Sequence, residues 1–197
     1  MARDTAEKRE ALKTRLIDVA ERQIAAGGLD TLKARELAKE APCSVGAIYN
    51  VFGDLHELAL AVNGRTFKRI GETVGAASHR DSDTPEATLV ALSTAYLHFA
   101  IENPKLWRAL FDVELTEDMN VPEWYIEELR QLFTFIAVPL REVYPEYSPE
   151  DIELMTRALF SSVHGIVLLG LERRISGVPT DQLERMIELV LSNIAAR

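Results

Sequence analysis

Five residues near position 47 have the side-chain types that a helix needs to read DNA. They are small or uncharged, with one aromatic ring and one amide: Val45, Gly46, Ala47, Tyr49 and Asn50. If this stretch is helical, Ile48 and Phe52, four residues apart, point inward and leave these five outward. Small side chains let a helix enter the major groove closely, and an amide can hydrogen-bond to a base edge. The pattern therefore indicates a helix that contacts DNA bases.

The residues before this helix predict a second short helix and a tight turn that position it. An apolar stripe over residues 37–41 indicates the first helix. Pro42 ends it, because proline lacks an N–H and disfavours helical geometry at the preceding residue. Ser44 suits the N-cap of the next helix, where its hydroxyl accepts a hydrogen bond from the backbone. We expect Cys43, directly before that helix, to be buried as a structural thiol.

Three segments resemble the helix-turn-helix signature of the TetR (tetracycline repressor) family of bacterial transcriptional repressors. They are Gly28-Leu29, Glu36-Leu37-Ala38 and Ser44-Val45-Gly46-Ala47-Ile48-Tyr49-Asn50-Val51-Phe52, and the match extends over about residues 9–60. The resemblance implies an all-α fold and a double-stranded DNA operator as partner. It adds Ser44 to the DNA-contacting residues and implies that Lys33 and Arg35 lie near phosphates.

Two positions depart from this family pattern. Serine or threonine usually caps the first helix of the motif where this chain has Lys33, and a phosphate-contacting lysine usually stands where it has Leu55. The second departure removes one expected contact with the DNA backbone. It keeps open an alternative function, a helical small-molecule-binding protein or sensor that does not engage an operator.

Composition and charge place limits on the class of protein. The 197 residues are 47% hydrophobic and 27% charged, with a single cysteine, which excludes an intrachain disulfide and a cysteine metal cluster. We found no secretory signal, and the longest uncharged run, residues 158–171, has 14 residues where a membrane span needs about 20. We therefore expect a cytoplasmic protein with no membrane partner.

The net charge of −9 is unevenly distributed along the chain. Residues 1–70 hold 12 basic and 10 acidic side chains, a net charge of +2, whereas residues 71–197 hold 10 and 21, a net charge of −11. A mildly basic first part on an acidic remainder suits a protein that touches DNA at one end. Ordinary charge fluctuation explains the same asymmetry equally well, so it does not decide the function.

The hydrophobic periodicity predicts about nine helices and no strands. A first helix over residues 5–26 opens with Asp4 and Glu7 at capping-box spacing. We divide the chain into a helix-turn-helix head (1–53), a connecting helix (54–77) and a ligand-binding and dimerisation body (78–197). Helices in the body are expected at 85–102, 104–115, 122–143, 149–175 and 180–196. Three glycines in the connecting helix indicate close packing or a pliable joint.

Seven residues of the body and its surroundings are candidates for contact with a small molecule, because a ligand cavity needs an apolar lining with few polar groups. They are Tyr96, His98, Phe99, Trp107, Phe111, Trp124 and His164. We expect a cavity between the connecting helix and the helices that carry the aromatic residues, with a small apolar or aromatic effector. No cofactor is expected, and the scattered histidines match no catalytic or metal motif, which argues against an enzyme.

Residues 96–115 and 158–171 resemble a regulatory C-terminal domain of TetR-type proteins that is recognised by a Trp…His-Gly motif. His164-Gly165 is present, and Phe160 stands in place of the tryptophan. Residues 158–171 are apolar nearly all round, and the last helix has a long apolar stripe. Both helices would either fill the monomer core or pair with their symmetry mates. The resemblance favours a homodimer through the last two helices, which represses transcription at a palindromic operator until an effector releases it.

Overall fold

The computed structural model describes residues 2–78, 84–114, 121–172 and 178–195, and every regular element in these ranges is helical. The described ranges contain nine α-helices and one short 3-10 helix at Leu29–Thr31. They are α1 (Ala2–Gly27), α2 (Ala34–Glu40), α3 (Val45–Val51), α4 (Leu55–Ser78), α5 (Pro85–Glu102), α6 (Pro104–Asp112), α7 (Glu123–Val143), α8 (Pro149–Leu171) and α9 (Thr180–Ala195). The predicted all-α fold is thereby confirmed.

Three helix ends differ from the sequence-based expectations. Helix α1 begins at Ala2, so Asp4 lies inside the helix and is not its N-cap. Helix α6 ends at Asp112 because Val113 already has an extended backbone. Helix α8 ends at Leu171, and residues 173–177, which were predicted to continue it in part, lie outside the described residues. The same is true of residues 79–83 in the predicted polar loop and of residue 196 at the end of the last predicted helix.

The starts of three other helices follow from local capping. At α4, the Asp54 carboxylate accepts a hydrogen bond from the Glu57 N–H (2.7 Å), and the Glu57 carboxylate accepts one from the Gly53 N–H (2.7 Å). The Thr84 hydroxyl caps α5 and the Ser148 hydroxyl caps α8, each directly before a proline. Proline is tolerated there because its missing N–H would have no partner in the first turn.

The chain divides into two compact units, and their boundaries do not follow the chain order. The first unit is Met1–Thr66 with Asn103–Tyr125, and the second is Phe67–Glu102 with Ile126–Arg197. The chain therefore passes between the units three times: within α4, between α5 and α6, and within α7. Helix α6 packs in the first unit, where Leu106 and Ala109 join the buried side chains of α1, α2, α3 and α4.

The second unit contains the packed helices α5, α8 and α9. Their buried side chains include Leu97 on α5, Val167 on α8 and Ile187 on α9. Helices α8 and α9 approach closely because Gly170 has no side chain and lies against the Leu183 side chain.

The glycines of α4 are explained by close packing against α7. In the first unit a Cβ on Gly64 would lie 2.7 Å from the Trp124 ring. In the second unit a Cβ on Gly71 would lie 3.4 Å from Leu132, and one on Gly75 would lie 3.3 Å from Phe135. Each glycine thus removes a side chain where an α7 side chain needs the space, which supports the packing alternative.

Candidate DNA-binding site and ligand-binding region

The helix-turn-helix is formed by α2, a turn and α3. The Cys43 N–H donates to the Ala38 carbonyl (3.0 Å), which closes the turn after α2. The Ser44 hydroxyl then accepts a hydrogen bond from the Ala47 N–H (3.1 Å), as expected of an N-cap. Cys43 is half-buried and packs at the edge of the apolar core, so the expectation of full burial was wrong. Cys43 lies in the turn between α2 and α3, where the core of the first unit covers only part of its surface.

Helix α3 has a buried inner face and an exposed outer face. Ile48 and Phe52 are 0% and 2% exposed and belong to the core of the first unit. Tyr49 is 46% exposed and Val45 37% exposed, and the Gly46 and Asn50 positions are also exposed. The Ala47 position is half-buried. The outward orientation predicted from the sequence is confirmed for Val45, Gly46, Tyr49 and Asn50 and holds only in part for Ala47. Contact of these residues with DNA stays a prediction.

Lys33 and Arg35 lie at the start of α2, and both are exposed. Lys33 occupies the N-cap with an extended backbone, but its side chain makes no capping hydrogen bond. A lysine has no acceptor to offer the orphan N–H groups of the first turn. The Lys33 ammonium is therefore available to solvent, as is the Arg35 guanidinium, and both can approach a phosphate.

Leu55 is half-buried and packs against the core of the first unit. The position where the family pattern has a phosphate-contacting lysine is thus used here for apolar packing. Leucine in place of lysine at this position removes a possible contact with the DNA backbone and adds buried apolar surface at the start of α4.

Arg9 is a residue whose role sequence reasoning missed. Its guanidinium, on α1, donates to the backbone carbonyls of Asn50 and Val51, both at 3.4 Å. The last turn of α3 contains no basic residue, so these terminal carbonyls have no local cationic partner. From the sequence, Arg9 was one of several basic residues on a solvated face. Arg9 precedes Asn50 by 41 residues in the chain, and the fold brings the two residues together. The contact is therefore visible only in the structure.

Two polar contacts attach α4 to its neighbours inside the first unit. The Arg65 guanidinium donates to the carboxylates of Asp18 (2.6 Å) and Glu21 (3.1 Å) on α1. Burial alone lowers the pKa of Arg65, but the hydrogen bonds and negative charges of these carboxylates raise it above its usual value. The contact therefore ties α4 to α1 with a permanently charged group.

Asn63 is fully buried and joins three helices of the first unit. Its amide donates to the Ala109 carbonyl on α6 (3.1 Å) and approaches the Tyr125 hydroxyl on α7 (3.5 Å). Its side-chain oxygen has no hydrogen-bond partner among the described residues. Burial raises the pKa of Tyr125, and the hydrogen bond from Asn63 opposes this only in part.

The seven ligand candidates are divided between the two units. Trp107, Phe111 and Trp124 lie in the first unit, and the other four lie in the second. Trp107 is buried and meets the Phe111 ring edge-on at 5.5 Å between centroids. Phe111 is 43% exposed, and Trp124 is 45% exposed with its ring against Gly64. These three side chains therefore contribute to the packing of the unit that contains the helix-turn-helix.

In the second unit the structure brings Tyr96 and His164 together. The Tyr96 hydroxyl lies 3.0 Å from His164 Nδ1, and the Phe160 ring stacks on the imidazole with 16° between their planes. Phe160 therefore supplies the aromatic partner of His164 where the Trp…His-Gly pattern has tryptophan. Phe99 is buried in the core. Contact of these side chains with a ligand stays a prediction.

His98 lies on the surface of the second unit. Its Nε2 is 2.6 Å from the Glu184 carboxylate on α9, and both side chains are about half exposed. The residue links α5 to α9 and does not face an enclosed space. Among the described residues no group of histidine, cysteine and acidic side chains has the arrangement of a metal site.

A cavity of about 600 Å³ lies in the second unit, between the end of α4, the start of α5 and α7. None of the seven ligand candidates lines it. Its walls are formed by Ser78, Thr84, Pro85, Thr88, Gln131, Thr134, Phe135, Val138, Pro139 and Glu142. Sequence reasoning did not find this cavity, because most of its wall is made of threonine, serine and proline residues that read as helix caps and surface.

Two sequence profiles match this chain, one to each functional part. The profile described as "Bacterial regulatory proteins, tetR family" matches residues 16–62, which span the helix-turn-helix. The profile described as "Tetracyclin repressor-like, C-terminal domain" matches residues 89–194, more than half of the chain. This chain belongs to the TetR family.

Several solved structures share the fold of this chain. A Rhodococcus sp. RHA1 protein of unknown function has a TM-score of 0.76 at 22% identity, with 94% of this chain and 96% of that chain covered. RolR in complex with resorcinol has a TM-score of 0.66 at 24% identity, covering 98% and 96%. FadR from Bacillus subtilis in complex with stearoyl-CoA has a TM-score of 0.70 at 15% identity, covering 90% and 96%. No curated protein matches the sequence.

As a TetR-family member, this protein is a transcriptional regulator with a helix-turn-helix DNA-binding domain and a C-terminal ligand-binding domain. The family consists of DNA-binding proteins, which confirms the expectation that the chain is not an enzyme. The residues of α3 and the start of α2 are thus the candidate DNA-binding site, and the second unit contains the candidate ligand-binding region.

Proposed function

We propose that this TetR-family regulator is a repressor. It binds a palindromic operator as a homodimer in the cytoplasm and leaves the operator when a small effector binds. The observation that carries this proposal is the outer face of α3, where Tyr49 and Val45 are exposed beside Gly46 and Asn50 while Ile48 and Phe52 hold the helix in the core. A rigid helix with a small, uncharged outer face can enter the major groove.

The residues around α3 supply what DNA binding needs besides base contacts. Lys33 and Arg35 are exposed at the start of α2, where their charges can neutralise phosphates. Arg9 fixes the end of α3 through the Asn50 and Val51 carbonyls. In this arrangement the base contacts come from Tyr49 and Asn50, and the closest approach is at Gly46.

Dimerisation is supported by the exposed apolar faces of α8 and α9. Leu154 and Leu169 on α8 are 61% and 59% exposed, and Leu189 on α9 is 48% exposed. Between the two α8 leucines, Gly165 has no atom within 4 Å of the place where a Cβ would lie, so another helix can approach there. Pairing of α8 and α9 with the same helices of a second copy would bury this surface. Two copies are also needed to read two half-sites about 34–36 Å apart.

The exposed apolar face of α8 can be explained by a dimer interface or by a membrane, and the structure favours the dimer interface. By length and composition it is the one described helix that could cross a bilayer, so the expectation that no segment is long enough was wrong. That expectation considered only the longest uncharged run. Residues 154–171 of α8 contain a single charged side chain, Arg157. Its first turns hold Glu150, Asp151 and Glu153, and it packs against α5 and α9. A dimer interface accounts for its exposed apolar face without lipid.

Release by an effector requires that ligand binding change how the DNA-binding unit is held. The chain joins the two units at three places, so a ligand in the second unit can act through α4, through the link between α5 and α6, and through α7. RolR with resorcinol and FadR with stearoyl-CoA are ligand complexes with this fold, which supports release by a small-molecule effector. Allosteric couplings of about 1–3 kcal/mol would weaken operator binding roughly 5–150-fold.

The experiment that tests this proposal measures binding of the purified protein to the DNA that flanks its own gene. Fluorescence anisotropy should give nanomolar affinity for one palindromic segment and at least 1,000-fold weaker binding to shuffled DNA, on the order expected of specific regulators. A dimer should be found by light scattering. A folded protein that binds the flanking DNA no better than shuffled DNA would favour the alternative function, a small-molecule sensor without an operator, which Leu55 keeps open.

A further inference from the structure

The 600 Å³ cavity between α4, α5 and α7 has the size of a small-molecule site. Ligand cavities usually measure about 300–1,000 Å³ and combine an apolar lining with a few polar groups. The apolar part here is formed by Phe135, Val138 and Pro139 on α7 with Pro85 on α5. All of the described lining residues belong to the second unit.

Three of the four hydroxyl groups that line the wall donate to backbone carbonyls, and the fourth, that of Thr84, accepts from the Ala87 N–H (3.2 Å). Ser78 donates to the Gly75 carbonyl (2.7 Å), Thr88 to the Thr84 carbonyl (3.2 Å) and Thr134 to the Arg130 carbonyl (3.3 Å). A hydroxyl has one donor and two acceptor lone pairs, so the hydroxyls of Ser78, Thr88 and Thr134 can still accept from a ligand, and the Gln131 side-chain oxygen is a further acceptor. The wall is therefore suited to a ligand that brings its own N–H or O–H donors.

The charge of the wall points in the same direction. Among the described residues of the wall, Glu142 is the one charged side chain, and none of them is cationic. Within the described part of the chain, the Glu142 carboxylate has no ion-pair or hydrogen-bond partner. The second unit, residues 67–102 and 126–197, holds 10 basic and 16 acidic side chains, and its net charge of −6 raises the local concentration of cations. The aromatic ring of Phe135 adds a surface that attracts cations.

We propose that this cavity binds a small organic ammonium ion with an apolar body, and that it is the effector site. The ammonium group pairs with Glu142 and donates to the hydroxyl lone pairs, and the apolar body packs on Phe135, Val138 and Pro139. The regulatory part of this inference rests on the proposed function. The cavity reaches α4 directly, because Ser78 lies in its wall and the Phe135 ring packs against Gly75.

The binding test uses three probes of similar shape and different charge: 2-phenylethylammonium, the neutral 2-phenylethanol and the anionic 3-phenylpropionate. Each is titrated into the full-length protein without DNA while methyl NMR signals are followed. The methyl groups of Thr84, Thr88, Thr134 and Val138 should shift, and those of Ile24 and Val62 in the first unit serve as reference. The ammonium probe should bind about fivefold more tightly than the alcohol, as expected for one half-solvated charge pair, and the carboxylate should not bind.

Variant Glu142→Gln keeps the shape of the side chain and removes its charge. It should lower the affinity for the ammonium probe about fivefold and leave the affinity for the alcohol unchanged. Glu128→Gln, on the same helix but outside the cavity, makes the same change in net charge and should leave both affinities unchanged. Because Glu142 and Thr134 are exposed, a second variant, Thr134→Trp, can fill the cavity without disturbing the core and should abolish binding. Equal affinities for the three probes, or equal effects of the two glutamine variants, would contradict the proposal that the cavity binds an ammonium ion through Glu142.

Operator binding separates this inference from the proposed function. If the ligand-free protein binds its operator, saturating 2-phenylethylammonium should weaken that binding at least fivefold in wild type and less in Glu142→Gln. Unchanged operator affinity at a saturated cavity would overturn the effector assignment while the repressor proposal stands. If the ligand-free protein binds no operator, the proposed function fails, and the NMR titration still decides whether the cavity is an ammonium site.

Discussion

The guanidinium of Arg9 lies 3.4 Å from the backbone carbonyl of Asn50, so the first helix of the chain holds the end of α3. The last carbonyls of any helix lack partners within the helix, and the negative end of its dipole favours a cation there. Arg9 satisfies both conditions for a helix whose own last turn contains no basic residue. Arg9 thus adds a contact at the end of the candidate recognition helix, whose inner face is held by Ile48 and Phe52.

Replacement of Arg9 by glutamine should reduce operator discrimination. Loss of this contact, worth about 1 kcal/mol, should lower the ratio of operator to non-specific affinity roughly fivefold and leave the salt dependence nearly unchanged. Lys13→Gln, at an exposed position on the same helix, is the matched control. The measurement is anisotropy with operator and shuffled DNA at several salt concentrations. A uniform loss on both DNAs, with a salt slope reduced by about one, would identify Arg9 as a phosphate contact instead.

Alanine substitutions of Tyr49 and Ile48 should distinguish residues that bind DNA from residues that stabilise the helix-turn-helix head. Tyr49→Ala removes an exposed side chain and should weaken operator binding at least tenfold with little change in the thermal midpoint. Ile48→Ala opens a cavity in the core and should lower the free energy of unfolding by about 2–5 kcal/mol. Calorimetry and operator titration of both variants distinguish the two roles. If Tyr49→Ala unfolds the protein, the outer face of α3 has been assigned wrongly.

Lys33→Thr should stabilise the protein and weaken its binding to DNA. A threonine hydroxyl at this N-cap can accept a hydrogen bond that lysine cannot, which is worth about 1 kcal/mol or roughly 2–4 °C in the unfolding midpoint. The same change removes one positive charge next to the DNA-binding helix, so the salt slope of operator binding should fall by about one. A lower unfolding midpoint in Lys33→Thr would show that the lysine stem contributes more than the cap.

Tyr125 should make the protein sensitive to high pH. Burial raises its pKa above the usual value of 10.0, so above pH 10 the unfolded chain releases this proton more readily than the folded one. The stability present below pH 10 is therefore lost progressively as the pH rises towards the pKa of the folded state. Tyr125→Phe should flatten this decline in urea unfolding, and Tyr49→Phe, which removes an exposed hydroxyl, should not. Identical slopes in wild type and Tyr125→Phe would refute the prediction.

Leu169→Glu should convert a dimer into folded monomers. Leu169 is 59% exposed in the single chain, so a glutamate there is solvated in the monomer and buried only at a dimer interface. Leu191→Glu should behave differently, because Leu191 is 3% exposed and lies in the core of the chain itself. Light scattering and far-ultraviolet circular dichroism of both variants test this. A Leu169→Glu variant that remains fully dimeric would exclude this face of α8 from the interface.

Periodicity alone predicted the elements and the inner face of the helix-turn-helix well. Ile48 and Phe52 lie four residues apart, and Ser44 stands where a cap is needed, so local rules determine which way α3 faces. The helix boundaries at Asp112 and Leu171 were less accurate because no proline or glycine directly follows either residue to mark the end of the helix. Arg9 was missed because no local rule connects it with Asn50.

The partner of each apolar face was less predictable than the face itself. The amphipathic pattern of α6 shows that one side must be buried, but not that Leu106 and Ala109 are buried against α1 and α2. The same limit applies to Tyr96 and His164, whose contact across 68 positions follows from the packing of α5 and α8. Similarly, the cavity exists because parts of α4, α5 and α7 lie close together in the fold. The sequence of each helix alone does not predict where the three helices meet.

The interleaved course of the chain has a consequence for building hybrid regulators. Exchange of DNA-reading modules between related proteins is usually planned as one splice after the helix-turn-helix. Here a graft of residues 1–66 alone would leave behind Leu106 and Ala109, and with them a side of the core that surrounds Leu37 and Ile48. A transplantable module must also carry residues 103–125 from the donor, so that recombination in this architecture needs three junctions rather than one.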